Sequence, residues 1–353
     1  MYNYKGCMVK NYNYCPLSYE NNLFFSLVDH RNNYFTSNNI NKIIEFYERF
    51  QSSAELIRWM KERPKGNCAI REVDGKKDVI VVIPTIDANS ELANNCKDIF
   101  NDLHIIFVES GYNNFYFNYA HNCNIGIKKA LEYNPKWIIL SNDDMYKIDS
   151  IDVLLGDLEK MDPDEVITVY INESNYHSAK RRIVKKRIIY NHTILLKRLL
   201  INGSKLYKIT KKKIELEKKL KCFYIVVPNK RIFDFLTKDK ITFTVGMSFQ
   251  IFGRSFFKKY GSYIFDETFI NDAEDIDLSF KLFMDGARSE RSIFRLGDMI
   301  GSSLGSYKTE QFNLLGLGIN DKNMLQGIIR ELRSIVNSAY LNTKISNKQG
   351  TNI

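Results

Sequence analysis

Asp78-Val79-Ile80-Val81-Val82-Ile83-Pro84-Thr85 is the stretch on which the fold turns. Five consecutive β-branched residues closed by a proline read as a strand buried on both faces, and such strands belong to parallel sheets. The chain downstream alternates accordingly. The spacing predicts a short helix over 91–101, a second strand over 104–108 ending at Glu109-Ser110-Gly111, a helix carrying Ile125, Ile127, Ala130 and Leu131, and a third strand at Trp137–Leu140. Strand, helix, strand, helix, strand is a doubly wound, Rossmann-like α/β unit, whose ligand crevice lies beyond the carboxyl ends of the strands. Pro84-Thr85, Glu109 and Asn142-Asp143-Asp144 all fall at such ends.

Further along, a helix is expected near 151–160, a strand near 166–170, and a resumed α/β pattern at Thr242–Gly246. Phe256–Gly261, a Phe265-Asp266-Glu267 turn and a helix over 274–285 stopped by Gly286 follow. Upstream, residues 1–36 are rich in Asn and Tyr and read as irregular. Ile43, Ile44, Tyr47 and Phe50, continued by Leu56, Ile57 and Met60, form a helical stripe over 38–62 that Pro64 and Gly66 end. A last helix is expected over 323–340, with the final dozen residues frayed. The organisation that results is an N-terminal extension (1–75), an α/β domain (76–306) interrupted by a basic insertion (about 175–240), and a C-terminal helix and polar tail (307–353).

Composition narrows the function classes. An apolar fraction of 44% fits a folded globular protein, and no run of about 18 apolar residues suggests a membrane span. The start of the sequence shows no basic residue followed by an apolar block, so no signal peptide is read. Cys7, Cys15, Cys68, Cys96, Cys123 and Cys222 have no C-x-x-C spacing, which favours reduced thiols in the cytoplasm over a zinc site or disulfide framework. The net charge of +10 is concentrated. Residues 177–222 hold sixteen Lys and Arg against two acids, a net +14, so the rest of the chain carries −4. Apolar residues from Ile188 to Ile201 are threaded through this segment, a pattern that suits an anionic membrane surface, at the inner face of the membrane. A solvated insertion is the plain alternative. The segment holds Tyr190 and Tyr207 but no nucleic-acid-binding motif, so nucleic acid is not an expected partner.

Two acidic clusters carry the chemistry. Ser141-Asn142-Asp143-Asp144 follows the apolar run Trp137–Leu140, and Ala273-Glu274-Asp275-Ile276-Asp277 lies about 130 residues later. Adjacent carboxylates at the end of a buried strand suit a hard divalent cation, which takes oxygen ligands and bound phosphate. A second carboxylate cluster can supply a general base to the same cleft. Metal, base and phosphate together suggest group transfer from a nucleotide. The same residues admit structural readings: a strand-end turn in which Asp143 and Asp144 cap the backbone, and a helix start where Glu274, Asp275 and Asp277 answer the dipole. Glu274 and Asp277 share a helix face at i, i+3, while Asp275 points elsewhere.

With these residues in place, the middle of the chain resembles the family 2 glycosyltransferases of GT-A fold. The strand Val79–Thr85, "IIFVESG" (Ile105–Gly111), "NIGIKKA" (Asn124–Ala130), "ILSNDDM" (Ile139–Met145) and the turn and Glu-Asp helix within Tyr260–Arg288 are similar to that family's motifs in order and spacing. The resemblance implies a metal-assisted transfer of sugar from a UDP-, GDP- or dTDP-sugar to a hydroxyl of a glycan or lipid-linked acceptor, inverting the anomeric centre in one displacement. It implies that Pro84, Thr85, Glu109, Asn124 and Asn142 serve the nucleotide, that Asp143 and Asp144 bind Mn²⁺ or Mg²⁺, that Asp275 is the base and that Glu274 helps hold the acceptor. Two departures stand out: Ser141 replaces the first acid of the Asp-x-Asp motif, and no His follows His192 to complete a metal site.

Three other classes compete with this reading. A sugar nucleotidyltransferase would carry a Gly-rich phosphate loop after the first strand, and Pro84–Asn89 has no glycine. A dehydrogenase is disfavoured similarly, because no G-x-G-x-x-G follows that strand. A non-catalytic nucleotide-sugar-binding module of the same fold is the reading that Ser141 and the absent His keep open.

Overall fold

The computed structural model of the chain describes residues 30–171, 182–183, 206–222, 224–225, 248–285, 287–298 and 321–348. The strands β1 (Ala69–Val73), β2 (Lys76–Thr85), β3 (Leu103–Glu109) and β4 (Trp137–Ser141) form one half of the main sheet. β2 runs parallel to both β3 and β4, and β1 pairs antiparallel with β3. The chain leaves β2 through helix α3 (Glu91–Ile99) to reach β3 on one side. It then crosses through α4 (Tyr119–Leu131) to β4 on the other side. Such a reversal leaves a crevice at the carboxyl ends of β2 and β4. Two earlier helices, α1 (Ile40–Glu48) and α2 (Ser53–Glu62), precede the sheet.

After β4 come β5 (Met145–Lys147), α5 (Ile151–Leu158), β6 (Thr168–Ile171), β7 (Arg182–Ile183), β8 (Tyr224–Ile225) and β9 (Phe249–Gly253). Then follow α6 (Arg254–Tyr260), α7 (Glu274–Met284), β10 (Ser289–Ser292), β11 (Leu296–Asp298) and α8 (Asp321–Lys348). The main sheet has seven strands in the order β1-β3-β2-β4-β9-β6-β10, with β9 antiparallel between β4 and β6. The fold is thus α/β with a mixed sheet flanked by helices, compatible with a Rossmann-like architecture. Residues 242–246, expected as a strand, lie outside the described residues. The strand that follows the basic segment and joins the sheet is β9.

The alternation of side chains along β2 explains the two layers. Val79, Val81 and Ile83 face a core built with α3 and α5, while Ile80 and Val82 face one built with α4, α6 and α7. Each fully buried aliphatic side chain contributes roughly 1.5–3 kcal/mol relative to exposure. Gly126 lets α4 lie close to the sheet: a Cβ there would sit 2.4 Å from Val82 Cγ1 and 2.7 Å from Val108 Cγ2.

A third core is purely helical. The stripe over 38–62 is two helices rather than one, capped separately by Asn39 and Ser52. Residues 30–35, expected as irregular, are also helical. Phe46, Tyr47, Phe50 and Trp59 pack with Phe35, and α8 closes over them through Leu332, Ile335, Val336 and Leu341. The Tyr47 hydroxyl donates to the Leu332 carbonyl at 2.5 Å. α8 continues to Lys348, so the fraying expected for the last dozen residues does not hold over 342–348.

The described part of the basic insertion also joins this core. Residues 206–219 are helical, and Leu206, Leu216 and Leu220 are buried against α1, α2 and α8. That stretch spends its apolar side in the protein's own core, while residues 188–201, whose apolar side chains suggested a membrane surface, lie outside the described residues. What the stretch leaves outside is mostly basic: Lys208, Lys211, Lys218, Lys219 and Lys221 are exposed beside Glu215, while Lys213 reaches Glu331 at 3.1 Å. Among the described residues, no helix is long and apolar enough to cross a membrane.

Candidate active site

The strand ends meet as the register requires. Val82 pairs with Leu140, so three residues further on Thr85 faces Asp143, and the Thr85 hydroxyl donates to Asp143 Oδ2 at 2.7 Å. Pro84 and Thr85 are buried at the end of β2. Glu109 lies opposite Thr85 in the β2–β3 register. Its carboxylate accepts from the Ala88 N–H at 3.1 Å and lies 3.6 Å from Arg71, which secures the loop after β2. Asp143 is half-buried and Asp144 is 2% exposed. The Cys96 thiol supports this turn from beneath, donating to the Asp143 carbonyl at 3.4 Å. Burial, with Asp143 and Asp144 adding, pushes that thiol up to about 12, so it stays protonated.

The second wall is the start of α4 together with residues 264–277. Asn118 caps α4 by accepting from the His121 N–H at 2.9 Å. Its amide nitrogen donates to the carbonyls of Glu267 at 3.0 Å and Phe269 at 2.8 Å. The Asn124 amide nitrogen donates to the Phe265 carbonyl and Glu267 Oε1, and its oxygen accepts from the N–H groups of Ile264 and Phe265. All its hydrogen-bonding capacity is thereby spent and the residue is buried. Asn124, expected at the nucleotide, is instead the clamp that fixes the 264–267 turn on α4. Glu267 accepts from His121 at 2.9 Å; burial would raise its carboxyl, but His121 and Asn124 outweigh this and lower it. The Asp266-Glu267 turn is structural in its contacts.

This wall carries α7 to the cleft. Glu274 is 4% exposed, and among the described residues its Oε2 has no hydrogen-bond partner. Burial, reinforced by the neighbouring carboxylates of Asp275 and Asp272, holds its carboxyl well above the usual range. Asp275 is half-buried and accepts from the Ile276 N–H at 2.7 Å. Asp277 turns away to Lys344, at 2.6 Å.

Tyr119 joins the two walls. Its hydroxyl donates to Asn142 Oδ1 at 2.7 Å. The residue is partly exposed, yet its hydroxyl is enclosed: burial raises the phenol most, and the charges of Glu274 and Asp144 raise it further. Burial raises the Cys123 thiol most, and the same Glu274 adds to it. Carboxylates 130 residues apart in sequence thus act on one phenol. Nothing in the sequence marks Tyr119: it sits one residue after a helix cap, at a position with no periodic or motif signal.

A divalent cation suits this donor set. Burial raises Asp143 and the Asp144 charge adds to it, while the Thr85 hydrogen bond opposes. Among the described residues Asp143 has no cationic partner. Two adjacent carboxylates match the needs of Mg²⁺ or Mn²⁺ bound through one or two acids plus phosphate oxygens and water. Among the described residues no three His, Cys, Asp or Glu side chains gather into a fuller cage. No protein-family model matches the sequence, and no curated protein is significantly similar to it.

Proposed function

We propose that the chain is a glycosyltransferase of GT-A type that moves a sugar from a nucleoside-diphosphate donor to an acceptor hydroxyl. The observation that carries the reading is Tyr119, whose hydroxyl donates to Asn142 beside the first acidic pair and whose phenol is raised, after burial, by charges that include Glu274 and Asp144. The resemblance, the mixed sheet and the switch point at β2 and β4 support it. Asp143 and Asp144 would hold Mn²⁺ or Mg²⁺. When bound, the cation neutralises charge growing on the leaving diphosphate.

The chain's own residues do the rest. Asp275 accepts the acceptor's proton as its oxygen forms a bond to the anomeric carbon. The bond from that carbon to the diphosphate oxygen breaks in the same displacement, and the nucleoside diphosphate leaves with the electron pair. Thr85 orients Asp143, and Glu109 fixes the loop over the nucleotide pocket. Glu274 lies beside the base, at the acceptor side.

The test is a thermal-shift panel of UDP, GDP and dTDP with and without Mn²⁺, followed by turnover of the matching donor sugars. A ligand that binds only the folded state raises Tm. Asp143→Ala and Asp275→Asn should each abolish transfer, with Asp275→Asn still binding nucleotide. Full activity in both variants overturns the site. Nucleotide binding without turnover of any donor favours the non-catalytic binding module instead.

The lysine stripe of residues 206–219, with the basic run before it, supports an anionic membrane surface as a second partner. That contact would be electrostatic over 206–219, because the apolar side there is used in the protein's own core. It would place the cleft at the cytoplasmic face, near a lipid-linked acceptor.

A further inference from the structure

We propose that α8 is a positioning clamp for the acidic start of α7, holding a strained turn on which the placement of Glu274 and Asp275 depends. The inference rests on the transferase reading for its catalytic consequence. Its structural basis is a row of polar contacts along one face of α8, additional to the apolar row that docks the helix.

Ser334, Asn337, Tyr340 and Lys344 follow one another at three- and four-residue spacing, so they share a helix face. All four reach residues 266–277. Ser334 donates to Asp272. The Asn337 amide satisfies both backbone groups of Ile270, accepting from its N–H at 2.8 Å and donating to its carbonyl at 2.9 Å. Tyr340 donates to Asp266 at 2.7 Å. Lys344 bridges Asp266 at 2.7 Å and Asp277 at 2.6 Å, spanning the turn from before it to after it.

Inside this span the backbone is strained. Asn271 has φ 55° and Ala273 has φ 73°. Asparagine tolerates the left-handed region, but in alanine the Cβ crowds the following carbonyl oxygen there. Such a conformation persists only where its surroundings over-determine it. Ala273 immediately precedes Glu274, and the clamp grips Asp272 before it and Asp277 after it. Loosening the clamp lets Ala273 relax, which turns Glu274 and Asp275 out of the cleft. The β2–β4 side, which would hold the nucleotide, is untouched.

The experiment uses the full chain with Lys344→Met, a substitution at a partly exposed site, alone and combined with Ala273→Gly. Glycine adopts the left-handed conformation without the alanine penalty. Lys344→Met should lower kcat by about a hundredfold, as misplacement of a catalytic group by an ångström does. The donor KM and the nucleotide-induced Tm shift should stay unchanged, and Ala273→Gly should restore most of the lost kcat. A packing role alone would lower Tm without this split or this suppression. Unchanged kcat in Lys344→Met, or no suppression by Ala273→Gly, overturns the clamp. Amide exchange read on the same variants is independent of turnover: it should quicken at 270–276 and not in β2–β4, and unchanged exchange there also overturns the clamp. A wild-type chain that turns over no donor overturns the transferase reading alone.

Discussion

Replacing Glu274 by Gln should remove a loss of stability that wild type suffers as pH rises, while impairing transfer. The side chain is 4% exposed and its Oε2 has no partner among the described residues, so the charged form is poorly solvated, and the carboxylates of Asp275 and Asp272 add repulsion. The native pKa is therefore raised above the unfolded value of about 4.3. For a raised carboxyl, the stability contribution is fully present below the unfolded pKa and is lost as pH climbs through the native one. The loss is about 1.4 kcal/mol per pH unit over that interval. Glutamine keeps the shape and carries no proton to lose. At about 2 °C per kcal/mol for a chain of this size, the Tm of Glu274→Gln should pull ahead of wild type by about 3 °C per pH unit, then level off. Differential scanning fluorimetry across a pH series reads this directly. Parallel Tm curves for the two proteins would refute the reasoning, because they would mean that Glu274 ionises in the fold as it does in water.

Thr85→Val removes the hydroxyl that favours the Asp143 carboxylate, so the raised acid rises further and protons compete better for the site. The Mn²⁺-dependent part of the nucleotide Tm shift should weaken more at about pH 6 than at about pH 8; equal weakening rejects the link. In Asp266, burial works against the carboxylate but Lys344 and Tyr340 lower its pKa, so this contribution is present above the unfolded value of about 3.9 and is lost as acid titrates the native group. Lys344→Met should accordingly lower Tm at neutral pH and converge with wild type in acid; a constant gap contradicts it. Phe46→Ala empties the centre of the helical core, where the ring lies 4.7 Å from Trp59, and should cost about 3–5 kcal/mol in urea unfolding followed by tryptophan fluorescence. Exchanging Lys208, Lys211 and Lys218 for Gln should weaken sedimentation with anionic vesicles by about fivefold per lysine, at about 1 kcal/mol each, and leave neutral vesicles unaffected; equal binding to both kinds would rule out the lysine stripe as the contact.

Residues 78–85 declared their strand because burial on both faces needs an unbroken β-branched run, and no other element uses one. Helices α3, α4 and α5 were legible from periodicity, and the structure adds the caps Ser90, Asn118 and Ser150 at their starts. Ala69–Val73 was not, since an edge strand with Arg71 and Glu72 shows neither a continuous apolar run nor a clean alternation. The aspartates of residues 142–144 were visible as a carboxylate pair after a strand. The role of Asn124 was not, because an asparagine that holds a ligand and one that holds a turn have the same sequence context. The contacts of α8 with residues 266–277 were also hidden: polar pairs across 60 to 80 residues leave no periodic trace, and only the apolar stripe of that helix does.

The Tyr47 hydroxyl and its acceptor at Leu332 are separated by 285 positions. On a ribosome adding about 5–20 residues per second, the earlier partner waits about 15–60 s for the later one. Throughout that interval Phe46, Phe50 and Trp59 have no α8 to cover them, while the sheet between can already close. Maturation of the helical lobe is therefore timed by translation, and the nascent chain exposes a sticky aromatic surface that a holdase would recognise until the closing helix is made.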